Sequence, residues 1–167
     1  AMNTGHGRHA ARGGLYAIAA ACLLTLAMAC LSLPANAGLI SLGRAAEFNA
    51  LVLGDMTGRH SDVEGRLAVG GNADLEHFNI GLELEDSDGV RDDLVVGGSV
   101  RAYNGRINHG NGVYGSGGSL NTDETFGLYS DDDTGSSNGS WRRRNNDGFF
   151  SELSAELKGK STSWGGL

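Results

Sequence analysis

Leu67-Ala-Val-Gly-Gly-Asn-Ala73 and Leu94-Val-Val-Gly-Gly-Ser-Val100 are the two stretches whose reading decides the fold. They share the pattern L-x-V-G-G-[N/S]-[A/V] at an offset of 27 residues, from position 67 to position 94. Each unit is a short apolar strand, a Gly-Gly corner, then a second strand of alternating character. That second strand is Ala73-Asp-Leu75 in one unit and Val100-Arg-Ala-Tyr103 in the other. A degenerate third copy spans Gly112-Val-Tyr-Gly-Ser-Gly-Gly-Ser-Leu120. Repeats of this length mark stacked units, none of which can bury its apolar face alone. Paired glycines suit corners where the backbone turns sharply or takes a positive φ. The expected fold is mainly β with a β-solenoid or β-helix-like core; a β-sandwich with coincidental V-G-G turns is the alternative.

Upstream of the first unit, Ser41–Asn49 reads as a short helix with Ser41 as N-cap, because Leu42, Ala45, Ala46 and Asn49 follow helical spacing. Ala50-Leu-Val-Leu53 has the pattern of a buried strand stopped by Gly54-Asp55, and residues 55–64 read as a polar turn. Between the copies lie the acidic loops Glu83–Gly89 and Asp92-Asp93. Residues 121–148, rich in Asp, Asn, Ser and Gly, read as a long surface loop. Downstream, Phe149, Phe150, Leu153 and Leu157 share one helical face, which predicts an amphipathic helix over 147–158 lying along the β-core, with Asp147 near its N-cap. Lys158-Gly159 is the expected stop, and Ser161–Leu167 reads as the start of a further strand.

The chain opens on a different signal. Arg8, His9 and Arg12 precede the apolar run Leu15–Leu33, then Pro34 and the small-residue site Ala35-Asn36-Ala37. This order describes a secretory signal peptide over residues 1–37, cut after Ala37. The run is close to bilayer-spanning length, but it is mostly alanine and ends in a cleavage site, so it reads as a leader and not an anchor. Lipidation at Cys30 is disfavoured, since Ala27 and the bulky Met28 precede it. Both cysteines, Cys22 and Cys30, fall inside the leader, so the exported chain has no disulfide framework.

All 20 acidic residues lie beyond position 37, whereas two of the 13 basic ones, Arg8 and Arg12, precede it, leaving a net charge of −9 after export. An acidic surface without a basic face excludes duplex nucleic acid as a partner. Glycine is abundant at 28 and proline nearly absent at one, which excludes collagen and fits tight turns between short strands.

Few residues form a pattern that carries chemistry. Asp86-Ser-Asp88 and Asp131, Asp132 and Asp133 are the calcium candidates, because clustered aspartates on a loop offer hard oxygens. Neither completes an EF-hand, and both read first as solvated loops; no other cofactor is expected. His60, His77 and His109 lack zinc-ligand spacing and read as exposed turn residues. Asp62 and Glu64 would share a strand face and could pair as acid and base, whereas Asp92 and Asp93 would point to opposite faces. Trp141-Arg-Arg-Arg144 could stack on sugars or anionic polymers, but reads first as neutralising the Asp131–Asp133 run.

Three segments together carry a resemblance: Ala46-Glu-Phe-Asn-Ala-Leu-Val-Leu-Gly-Asp55, Ser61-Asp-Val-Glu-Gly-Arg-Leu-Ala-Val-Gly-Gly-Asn72 and Leu94-Val-Val-Gly-Gly98. They resemble the bacterial choice-of-anchor A domain, an adhesive domain of surface proteins, over residues 45–167. The motif positions are Phe48, Asn49, Gly54, Asp55, Asp62, Glu64, Gly65, Arg66, Gly70, Gly71, Asn72, Gly97 and Gly98. The resemblance implies one secreted or cell-surface β-domain over 38–167, solenoid-like and non-catalytic, that binds an extracellular glycan or a matrix or surface protein through polar loops. It implies no catalytic residues. The family continues into further strands and an anchor, so the chain, which opens Ala1-Met2, is expected to be cut short at its C-terminus and to lack the anchor. After cleavage it is expected not to span a membrane. The alternatives are a carbohydrate-active solenoid enzyme using Asp62 and Glu64 or the 83–93 loop, and a self-assembling surface-layer component.

Overall fold

The computed structural model describes residues 41–128 and 139–165. The expected leader, its expected cleavage site and Asp131–Asp133 lie outside the described residues. Within them the chain forms β1 (Ala50–Val52), β2 (Met56–Val63), β3 (Leu67–Val69), β4 (Ala73–Ile80), β5 (Asp92–Val96), β6 (Val100–Tyr103), β7 (Gly105–Ile107), β8 (Asn111–Gly115), β9 (Leu120–Thr122), β10 (Phe126–Leu128), β11 (Trp141–Arg144) and the helix α1 (Asp147–Trp164).

All described strand pairs are parallel. One sheet has the order β1-β3-β5-β8-β11. The other has the order β10-β7-β4-β6-β9, with β2 also paired to β4, and it curls into a half-barrel. The curl has a local cause. His60 within β2 and His77 within β4 take φ of 49° and 50°, and Asn104, between β6 and β7, takes 51°. These left-handed residues bend the strands, so the first halves of β2 and β4 continue into β6 and β9, and the second half of β4 into β7 and β10.

The two V-G-G copies lie side by side, as their offset requires: Leu67 pairs with Leu94 and Ala73 with Val100. The third copy joins them with a two-residue insertion. Val113 pairs with Val95 and Leu120 with Val100, so Ser116 and Gly117 are extra. The Gly-Gly corners are required by close approach. A Cβ on Gly97 would collide with the carbonyl oxygen of Gly70, and one on Gly115 with that of Gly97. The second glycines repeat this, since a Cβ on Gly118 would collide with the Gly98 carbonyl.

The core lies between the sheets. Leu67, Val69, Leu94 and Val96 face Ala73, Leu75, Phe78, Ile80, Val100, Ala102, Ile107 and Phe126. Strand alternation turns Ala68 and Val95 the other way, yet both are buried, because Phe48 and Phe150 cover them with Phe149 and Leu51 packed alongside. The predicted amphipathic helix therefore does lie on the β-core. Asn146, at its start, is 3% exposed and donates from Nδ2 to the Val96 carbonyl at 2.9 Å.

Several sequence expectations need correction. Residues 55–64 are not a turn: Met56–Val63 is an eight-residue strand whose alternation is hidden by its polar outer positions and by Gly58 on the inside. Residues 121–148 are not one loop, since they contain β10, β11 and the end of β9. The short helix expected over Ser41–Asn49 is a 3-10 helix confined to Gly43–Glu47, with Leu42 and not Ser41 at its N-cap position and Gly43 entering it at a φ of 59°. The C-terminal helix runs past Lys158-Gly159 to Trp164, so Ser161–Trp164 is helical and not a strand. Its N-cap position is Asn146, with Asp147 in the first turn. No helix of the described residues is long and apolar enough to cross a membrane.

Candidate functional site

The motif residues build corners. Asp55 Oδ1 accepts from the Asn72 backbone N–H at 2.6 Å, Asn72 Oδ1 from Ser99 N–H at 2.9 Å, and Ser99 Oγ from Ser119 N–H at 3.0 Å. One polar side chain per corner thus holds the backbone of the next corner along the stack. Gly54 and Gly71 lie in neighbouring stacked corners, with the Gly71 N–H donating to the Gly54 carbonyl at 2.9 Å. Gly65 is buried where a Cβ would collide with the Asn49 carboxamide. Arg66 lies over the Phe48 ring at 4.4 Å and donates from Nε to the Asp92 carbonyl at 3.0 Å. These positions satisfy backbone groups and fill space.

Asp62 and Glu64 are both exposed, Asp62 on β2 and Glu64 just beyond it. Asp92 and Asp93 do point to opposite sides: Asp93 is fully buried and accepts from Arg91 Nε at 2.6 Å, whereas Asp92 pairs with Arg144 and lies 3.8 Å from Arg142. Asp86 Oδ1 accepts from the backbone N–H groups of Ser87 and Asp88 at 2.7 and 3.3 Å, which makes this candidate calcium loop an Asx-turn. Among the described residues no cluster of His, Cys, Asp and Glu could hold a metal ion. His60 and His77 are stacked at 4.7 Å on adjacent strands, in bends and not in loop turns, and His109 is half-buried.

Trp141-Arg-Arg-Arg144 is a strand and not a loop. Trp141 packs against the core, 6.1 Å from Phe126, over the surface left clear by Gly112, so its ring is not free for a sugar. Arg142 and Arg144 turn to Asp92, and Arg143 lies 5.4 Å from the Tyr114 ring.

The outer face of the first sheet is occupied by α1 and Phe48. The outer face of the second sheet, over β2, β4, β6 and β9, carries a grid of polar side chains. Strand alternation sends Gly58, Leu75 and Ala102 inward and leaves Thr57, Asp74, Arg101 and Asn121 in one outward row, by their pairing. Arg59, Glu76 and Tyr103 form the next row. Asp74 is held between two guanidiniums, Arg59 Nη2 at 2.9 Å and Arg101 Nη1 at 3.1 Å, and Arg59 Nε reaches Glu76 at 3.3 Å. The Arg59 hydrogen bond first, then the charges of Arg101 and Arg59, hold the Asp74 carboxyl below its ordinary range; Asp74 in turn raises Arg101. Arg101 also lies 5.0 Å from the Tyr103 ring. Two cations and two anions thus balance on the outer face of this curled sheet.

None of these five residues, Arg59, Asp74, Glu76, Arg101 and Tyr103, stands out by sequence motif. The available signal was the repeat itself: Asp74-x-Glu76 and Arg101-x-Tyr103 occupy matching i, i+2 positions after matching V-G-G corners.

Residues 41–167 match a family model described as "Putative Ice-binding-like adhesive domain". Comparison with curated proteins and with solved structures finds no match.

Proposed function

Because the chain belongs to this ice-binding-like adhesive domain family, we propose that it is a non-catalytic adhesive module working outside the cell, which holds its partner on the outward grid of β2, β4, β6 and β9. The family carries the adhesive reading and, with it, a surface or extracellular location. The grid is favoured as the contact surface because α1 covers the opposite sheet's outer face.

The finer parts of this reading are ours. The strands alternate between the two sheets from β1 to β6, and their parallel pairing supports a core wound as a solenoid. Residues 1–37 act as a leader cut after Ala37, and the exported domain is of the choice-of-anchor A kind. The ice-like part of the family description is read as a likeness of fold and not of ligand. Arg59, Asp74, Glu76 and Arg101 are ionic groups that hold their own hydration shells, unlike a surface matched to ordered water.

Binding of the purified chain to a panel of polysaccharides and matrix proteins tests the reading. Signal above an inert protein of matched negative charge is expected, lowered by Arg59→Ala and Arg101→Ala. Background binding across the panel would overturn it.

A further inference from the structure

The grid is complementary to a copy of itself. Across β2, β4, β6 and β9 the first row reads Thr57, Asp74, Arg101, Asn121, and the second row begins Arg59, Glu76, Tyr103. A two-fold axis lying in the face, parallel to the strands and midway between β4 and β6, keeps the position along each strand and reverses the strand order. It sets β4 of one copy over β6 of the other, and β2 over β9. Asp74 then meets Arg101 twice, Glu76 meets the Tyr103 hydroxyl twice, and Thr57 meets Asn121 twice. A two-fold axis across the strands, between the two rows, instead sets Asp74 over Glu76, carboxylate on carboxylate. Of these two, the first pairs donors with acceptors in both rows; an axis midway between β2 and β4 would set Arg59 over Glu76 but engage only those two strands of each copy.

We propose that two copies of this chain associate face to face through this grid about that axis. The proposal rests on the reading of the grid as the contact surface, and names a second copy as its occupant. An isologous contact closes on itself as a pair and does not grow into a fibre. The chain carries a net charge of −7, so copies repel at long range, whereas the balanced grid is the place where two acidic molecules can touch. Four strands about 4.8 Å apart and about four residues of about 3.3 Å cover only about 250 Å² per copy. Stable interfaces need about 800 Å² per partner. The contact is therefore weak for single molecules and effective between arrays of them, where linked contacts add.

Beads coated with the chain and mixed at low salt test this by clumping. Wild-type beads are expected to clump and to disperse as salt rises. Beads bearing Asp74→Arg, or beads bearing Arg101→Asp, should fail to clump alone, with self-association at least about tenfold weaker. Mixed together, these two sets should clump, because each reversed charge meets its complement on the other. If a single reversal unfolds the chain, the double reversal Asp74→Arg with Arg101→Asp keeps the pair within each copy and carries the test. Its beads should clump with themselves and not with wild type. Wild-type beads that stay dispersed, single variants that clump like wild type, a mixture that does not clump, or double-variant beads that join wild type would each overturn the contact. The same beads are scored on the polysaccharide and matrix panel. Clumping lost with panel binding kept sinks self-association alone, and the reverse sinks only the heterophilic adhesion.

Discussion

Asn72 Oδ1 accepts the Ser99 backbone N–H at 2.9 Å, so a side chain in one Gly-Gly corner fixes the backbone of the corner 27 residues later. Asn72 is itself held, through its own N–H, by Asp55. The column is solvent-exposed, so a lost partner is replaced in part by water. Asn72→Ala should cost about 1 kcal/mol, a fall in Tm of about 3–6 °C for a domain of this size. Thermal unfolding by circular dichroism measures it; an unchanged Tm would show that the column contributes nothing.

Two glycines should respond in opposite directions to the same change. A Cβ on Gly97 collides with the backbone carbonyl of Gly70, which cannot swing away as a side chain can. Gly97→Ala should therefore cost about 3 kcal/mol or more, or block folding. Gly159 sits inside α1 with nothing within 4 Å of its Cβ position. Gly159→Ala should stabilise by about 0.5–1 kcal/mol through helix propensity. Denaturant unfolding of the pair separates the steric role of glycine from its flexibility.

The repeat was legible because glycine is costly to replace where backbones touch, so the corners kept their pattern and announced the pairing of Leu67 with Leu94. β2 was hidden because Gly58 takes the inward place that a branched residue would mark: a Cβ there would fall 2.7 Å from the Phe78 ring. The helix end was misread at Gly159 because an isolated glycine in an exposed helix costs only about 1 kcal/mol and does not by itself end the helix. The charged grid escaped because Arg59, the Asp74-x-Glu76 pair and Arg101 lie on three strands far apart along the chain and gain meaning only once β2, β4 and β6 are in register.

Phe150 is 9% exposed and closes the outer face of the first sheet over Ala68 and Val95. Phe150→Ala should cost about 3 kcal/mol, since it removes buried area and leaves a gap that the helix cannot fill. It should also expose the apolar surface beneath, raising the fluorescence of a hydrophobic dye before global unfolding. Loss of stability without a rise in dye binding would mean that the helix repacks.

The Asp74 ion pairs make a pH prediction with a definite sign. Asp74 titrates below its ordinary value of 3.8 in the folded chain, owing first to the Arg59 hydrogen bond and then to the charges of Arg101 and Arg59. A carboxyl depressed on folding contributes stability that is complete above the unfolded pKa and is lost as pH falls through the lower, folded value. The contribution of Asp74 should thus be constant from neutral pH down to about 4 and decline below it. Its side chain is 35% exposed, so solvent screening keeps the effect below about 1 kcal/mol. Asp74→Asn removes the titrating group and should narrow the gap to wild type as pH drops from 7 to 2.5, with added salt narrowing it further at pH 7. Urea unfolding of both proteins at the two pH values reads this directly. A gap between wild type and variant that stays the same at pH 2.5 would mean that Asp74 stabilises the grid through packing and not through its charge.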